Sequence, residues 1–218
     1  KTIFSYFMPV KGMEGQLRQA LTGATHHLKH DPTASTGNMM ILGGHGCGKT
    51  TLVEAIAYQT GITARMGKVT DGNTISDYDK EEQKRQFSIS TSVVPVEFED
   101  IKINFLDTPG YFDFVGEVEE ACHAAGAAVI VINGKSGVEV GTLKAWELCE
   151  KYKLPRLFFV TGMDDDQASY RKIVLELNDR FGRKVAPFHV PIRENEKFVG
   201  FVNVVKMKGR RFINDTGA

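Results

Sequence analysis

Gly43-Gly44-His45-Gly46-Cys47-Gly48-Lys49-Thr50 has the spacing G-x-x-x-x-G-K-[ST]. Glycines at these steps let successive backbone N–H groups converge on an anion, and a helix starting at Thr50 adds the partial positive charge of its N-terminus. Lys49 then reaches the outer phosphates of a nucleoside triphosphate, and the Thr50 hydroxyl holds Mg²⁺, with Thr51 beside it in the same first turn. This chemistry needs a strand before the loop and a helix after it. Met39–Leu42 is a short apolar run and Thr50–Gln59 has a helical pattern, so both flanks fit.

Two further constellations follow downstream. Asp107-Thr108-Pro109-Gly110 closes another apolar run. There a carboxylate can join the Mg²⁺ shell and the Gly110 N–H can approach a γ-phosphate. D-x-x-G alone is a common turn; its place after a buried strand and downstream of a P-loop favours the functional reading. Thr161-Gly162-Met163-Asp164 follows a fourth apolar run, where GTPases carry an Asp that pairs with the guanine edge. Asp164 is the candidate, and an acidic turn with Asp165 and Asp166 capping the next helix is the alternative.

Other signals have plainer readings. His26 and His30 are four apart with no third ligand, which reads as solvated histidines. Cys47 sits at a helix N-terminus, where thiol pKa values fall, but it has no catalytic partner, so packing beneath the phosphate is favoured. Lys80–Arg85 is a charged run in an expected mobile loop and reads as a solvated face or a contact with a partner.

The elements that must hold these residues alternate. Met39–Leu42, Ile101–Leu106, Ala127–Ile132 and Leu157–Val160 read as strands buried on both faces. Between and after them lie helical patterns at Thr50–Gln59, Phe114–Ala125, Thr142–Tyr152 and Ala168–Phe181. That order predicts an α/β fold, a P-loop NTPase with a mainly parallel sheet and helices on both faces. Val93–Phe98 meets Ile101–Leu106 across two residues, which predicts one antiparallel edge strand. Residues 1–38 predict a helical extension, with a helix over about 12–30 and a polar link after Asp31-Pro32. The P-loop domain is expected over 39–192. From 193 to 218 the chain reads as the start of a small β subdomain, with strands at Phe188–Ile192 and Phe198–Val205.

Composition narrows the function. Lys+Arg and Asp+Glu are both 27, so the formal net charge is zero, which excludes a strongly basic nucleic-acid coat and direct DNA binding by one. With 42% hydrophobic residues the chain can bury a core. Three cysteines without C-x-x-C spacing favour a reducing, cytoplasmic compartment. The longest apolar stretch, Ala124 to Ile132, is about half of a bilayer span, so no membrane partner is expected.

The segments GHGCGKTTLVEAIAYQTG, INFLDTPGYFDFVGEVE, AAVIVINGKSGVEVGT, LCEKYKLPRLFFV and FVGFVNVVKM resemble the GTP-binding domain of elongation factor G, a ribosomal translocase GTPase. The resemblance covers residues 39–210. It extends to tetracycline-resistance ribosome-protection proteins and to a divergent elongation-factor-G-like group, which the chain resembles most. It implies GTP and Mg²⁺ as cofactors, the ribosome as partner, and nucleotide contacts from Gly43–Thr51, Asp107–Gly110 and Thr161–Asp164. It also implies Mg²⁺ ligation by Thr50, Ser88 and Asp107, and catalytic roles for Lys49, Gly110 and the residue at 111. A further guanine-contacting loop, of Ser-Ala type, is expected beyond residue 218, so the domain is expected to be incomplete here.

The departures matter equally. Tyr111 stands where the family usually has a His that positions the attacking water, and a phenol with a pKa of about 10 is a poor base. Thr161 and Gly162 replace the usual Asn-Lys, Gly46 replaces the usual Asp of the P-loop, and Ser88 replaces the usual Thr. Nucleotide binding is therefore expected to survive better than rapid hydrolysis or strict guanine choice. Two other readings compete: a ribosome-binding or protection module that hydrolyses little, and a P-loop ATPase, suggested by residues 1–38 and the weakened guanine motif.

Overall fold

A computed structural model of the chain describes residues 3–7, 36–98, 101–182, 185–194 and 197–211. The P-loop strand β2 (Thr36–Leu42) starts three residues earlier than its apolar run, because Thr36, Gly37 and Asn38 pair with Lys102, Ile103 and Asn104 of β4 (Ile101–Asp107). Around them lie β3 (Ser92–Phe98), β5 (Ala127–Asn133) and β6 (Arg156–Thr161). The helices are α1 (Lys49–Gln59), α2 (Lys80–Arg85), α3 (Val115–Ala124), α4 (Val140–Lys151) and α5 (Tyr170–Phe181).

The main sheet has seven strands in the order β3-β4-β2-β5-β6-β1-β7, with β1 at Ile3–Phe7 and β7 at Val185–Pro187. Only the β3–β4 pair is antiparallel, and β3 forms the outer edge, as the two-residue connection predicts. Alternate side chains of β2 divide between two cores, which is why its apolar run is continuous. Met40 and Leu42 join Val118, Ala145, Cys149 and Leu177 on the face of α3, α4 and α5. Met39 and Ile41 join Val53, Ile56, Val96 and Phe105 on the face of α1. A strand covered on both sides is the expected arrangement of a parallel α/β sheet.

Two features depart from the sequence reading. Residues 3–7 form a strand, inserted parallel between β6 and β7, where the sequence suggested a helical extension. The helix expected over 12–30, with His26 and His30, lies outside the described residues. The run Lys80–Arg85 is a short helix capped by Asp79, whose side chain accepts from the Glu81 N–H at 2.7 Å. Beyond β7, β8 (His189–Glu194), β9 (Lys197–Asn203) and β10 (Lys208–Arg211) form a separate antiparallel sheet. No helix among the described residues is long and apolar enough to cross a membrane.

Candidate nucleotide site

The loop Gly43–Gly48 joins β2 to α1. Gly48 caps α1 with φ 95°, and Gly46 has φ 74°, both in the left-handed region that favours glycine. At Gly43 a side chain would put its first carbon 2.5 Å from the Val131 carbonyl oxygen, so only glycine fits. Lys49 is buried, and its Nζ donates to the Gly44 carbonyl at 2.9 Å, folding the ammonium back over the loop. Thr50, next along α1, is buried, and its hydroxyl lies 3.3 Å from the Ser88 hydroxyl. Thr51 is half-buried in the same turn.

Asp107 ends β4 beside β2, 1% exposed, and neither carboxylate oxygen has a hydrogen-bond partner. Burial pushes its pKa up to about 6, while the Lys49 ammonium and the nearby Thr50 and Ser76 hydroxyls pull the other way without completing bonds of good geometry. Thr108 is buried and donates to the Ile41 carbonyl at 2.6 Å, pinning the turn onto β2. Pro109 is buried behind it. Gly110 meets the P-loop so closely that a first side-chain carbon would lie 2.5 Å from Lys49 Nζ and 2.8 Å from the His45 backbone. Tyr111 follows at the rim.

The sequence reading missed Asp77. It is 3% exposed, accepts from the Ser88 hydroxyl at 2.7 Å, and leaves its second oxygen without a partner. Burial raises its pKa, and the Ser88 bond opposes that rise. In sequence Asp77 is one acid among several in Ser76–Glu82; its link to Ser88, eleven residues on, exists only in three dimensions. Buried, unpartnered carboxylate oxygens beside two hydroxyls are hard donors suited to Mg²⁺, with phosphate and water completing the shell. Among the described residues no three His, Cys, Asp or Glu side chains cluster as a metal cage.

Thr161 ends β6 and donates to the Cys47 carbonyl at 2.7 Å, joining β6 to the P-loop. Gly162 has φ 64°, Met163 is fully buried, and Asp164 is exposed, free to face a ligand. Arg193 of β8 reaches across to donate to the Met163 carbonyl at 2.7 Å and the Asp165 carbonyl at 3.1 Å, bracketing Asp164. The Cys47 thiol is buried and its pKa is raised, because desolvation outweighs the Lys49 charge. The sequence option of an activated thiol is thereby corrected: this is a packing residue.

The three sequence motifs thus meet at the carboxyl ends of β2, β4 and β6. Residues 34–213 match the family model described as the elongation factor Tu GTP binding domain. The chain belongs to that family. It is 38% identical over 154 residues to an elongation factor G-like protein of Mycobacterium tuberculosis, covering 71% of this chain and 22% of that protein. A mitochondrial ribosome-releasing factor 2 of Drosophila sechellia is 34% identical over 180 residues, 83% of this chain and 26% of the relative. Elongation factor G 2 of Borreliella burgdorferi is 33% identical over 183 residues, 84% and 27% respectively. A crystal structure of a Thermus thermophilus protein superposes with a TM-score of 0.77 at 37% identity, over 82% of this chain and 27% of that one. The chain therefore spans about a quarter of the length of these relatives. Strand β1 comes from the segment outside the family match.

Proposed function

We propose that this chain is the GTP-binding part of an elongation factor G-like translation factor, which binds GTP–Mg²⁺, couples it to ribosome binding and translocation, and hydrolyses GTP slowly on its own. The observation carrying this reading is the convergence of the Lys49 loop, the partnerless Asp107 carboxylate and the Asp164 turn, tied together by the Thr161–Cys47 bond. Lys49 and the loop N–H groups hold the phosphates; Thr50, Ser88 and Asp107 hold Mg²⁺, with Asp77 behind Ser88. An Mg²⁺ held by those residues would neutralise charge developing on the phosphates. Gly110 meets the γ-phosphate, so its contact and that of the Ser88 segment differ between GTP and GDP and can drive a conformational switch. Asp164 recognises guanine, and the cytoplasm is the expected place of action.

Competition between GTP and ATP for the full chain, with Lys49→Ala and Asp164→Ala beside it, tests this. Lys49→Ala is expected to abolish binding, since the loop loses its one side-chain cation. The parent is expected to prefer GTP, though by less than the roughly 10⁴-fold a fully bonded base site reaches. Equal affinity for the two nucleotides, unchanged by Asp164→Ala, would sink the guanine assignment. The second reading, a ribosome-binding module with little hydrolysis, draws on Tyr111, and single-turnover hydrolysis on ribosomes separates the two.

A further inference from the structure

The phosphate cradle uses the backbone of residue 45 but not its side chain. The His45 imidazole lies against the Tyr111 ring, with centroids 4.1 Å apart and planes 19° from parallel. Phe87 closes edge-on against both, 4.8 Å from Tyr111 and 6.1 Å from His45. The three rings come from three separate segments: the P-loop, the loop before β3 beside Ser88, and the turn after β4. Neither imidazole nitrogen has a hydrogen-bond partner among the described residues. The cluster sits where Gly110 abuts both Lys49 Nζ and the His45 backbone, the end of the cradle that the proposed function gives to the γ-phosphate.

We propose that His45 is a catalytic residue that holds the water attacking the γ-phosphate, with the Tyr111 and Phe87 rings as its mount. The inference rests on the GTP-hydrolysis reading and specifies the group that reading lacks. The water oxygen bonds to the γ-phosphorus while the bond to the bridging oxygen breaks, its electron pair leaving on GDP. Both water hydrogens end on the phosphate product, so GTP⁴⁻ and water give GDP³⁻ and H₂PO₄⁻. A neutral imidazole nitrogen accepts a hydrogen bond from the water and fixes its approach. Partial burial, then the Lys49 charge, lowers the His45 pKa from its ordinary value, which favours the neutral imidazole. Tyr111 and Phe87 are positioning residues: stacking and edge-to-face contacts hold the ring in one orientation.

His45→Phe keeps the stack and removes both nitrogens. In the full-length parent protein on ribosomes, single-turnover hydrolysis by His45→Phe is expected to fall by about 10²-fold or more, the usual loss for a positioned catalytic group. The GTP dissociation constant, measured in parallel, is expected to change by less than about twofold, because in this proposal the imidazole touches the water and not the nucleotide. Tyr111→Ala is expected to slow turnover similarly, and Tyr111→Phe to rescue it. A His45→Phe variant that turns over as fast as the parent, or faster, overturns the proposal and makes the cluster an apolar lid. A parent that binds GTP but does not turn it over also overturns it. Failure of the parent to bind GTP would instead refute the underlying reading.

Discussion

The Thr161 hydroxyl makes one hydrogen bond that joins the turn proposed to meet the base to the loop proposed to meet the phosphates. Thr161→Val keeps the shape and leaves the Cys47 carbonyl without its donor, at a cost of about 1–2 kcal/mol. Both the unfolding free energy and GTP affinity are expected to drop, the affinity by roughly tenfold for 1.4 kcal/mol; unchanged affinity would mean that the two halves act independently. Gly43–Thr50 and Asp107–Gly110 were legible in the sequence because phosphate chemistry dictates their residue types at short, fixed spacings. The Thr161 bond, Asp77 and the His45 stack were not, because each pairs residues from separate loops. His45 read in the sequence only as one of the nucleotide contacts of Gly43–Thr51, and its ring stack with Tyr111 shows only in three dimensions.

Elements hold these residues through buried acids as well as apolar faces. Glu54 of α1 accepts from the Gly67 and Ile75 N–H groups at 2.9 and 2.8 Å, and Glu82 of α2 accepts from Ile89 and Ser90 at 2.8 and 3.1 Å. Two short helices therefore fasten the long segment that carries Asp77 and Ser88. For Glu82 this was hidden in the run Lys80–Arg85, which looked like solvated charge, since burial of a glutamate depends on which backbone groups the fold brings to it. The buried strands were legible for the opposite reason: their apolar runs have no other place to go. In the small sheet, His189 is 0% exposed, lies 3.2 Å from the Asn203 amide, and is pushed down to about 4 by burial. Its stabilising contribution is whole above the ordinary pKa of 6.5. Below that the unfolded chain takes up the proton first, so about 3 kcal/mol is lost between pH 6.5 and 4. Denaturant melts at pH 7 and 4.5 are expected to show this loss, with the imidazole still neutral by NMR at pH 5.5; titration near 6.5 would remove the argument.

At the scale of the whole molecule, one end of the main sheet is closed by a strand from far away in the chain. Because β1 separates β6 from β7, deleting residues 3–7 is expected to strip β7 of its partner and expose β6 as an edge. Hydrogen exchange is expected to quicken at 185–187 and along 156–160, and to stay slow at 39–42 and 103–106; uniform protection would show that β1 carries no structural weight. The sequence reading passed over this strand: Ile3, Phe4, Tyr6 and Phe7 favour strands, but the partners they join lie far downstream in the chain. The same insertion has a consequence during synthesis. Strand β1 is made first, yet its neighbour β6 emerges roughly 150 residues later, which at about 5–20 residues per second is a wait of roughly ten to thirty seconds. Throughout that interval these five residues lack both native partners, so their backbone N–H and C=O groups are open to pairing with another chain. Newborn copies crowded on one messenger are where that hazard is greatest.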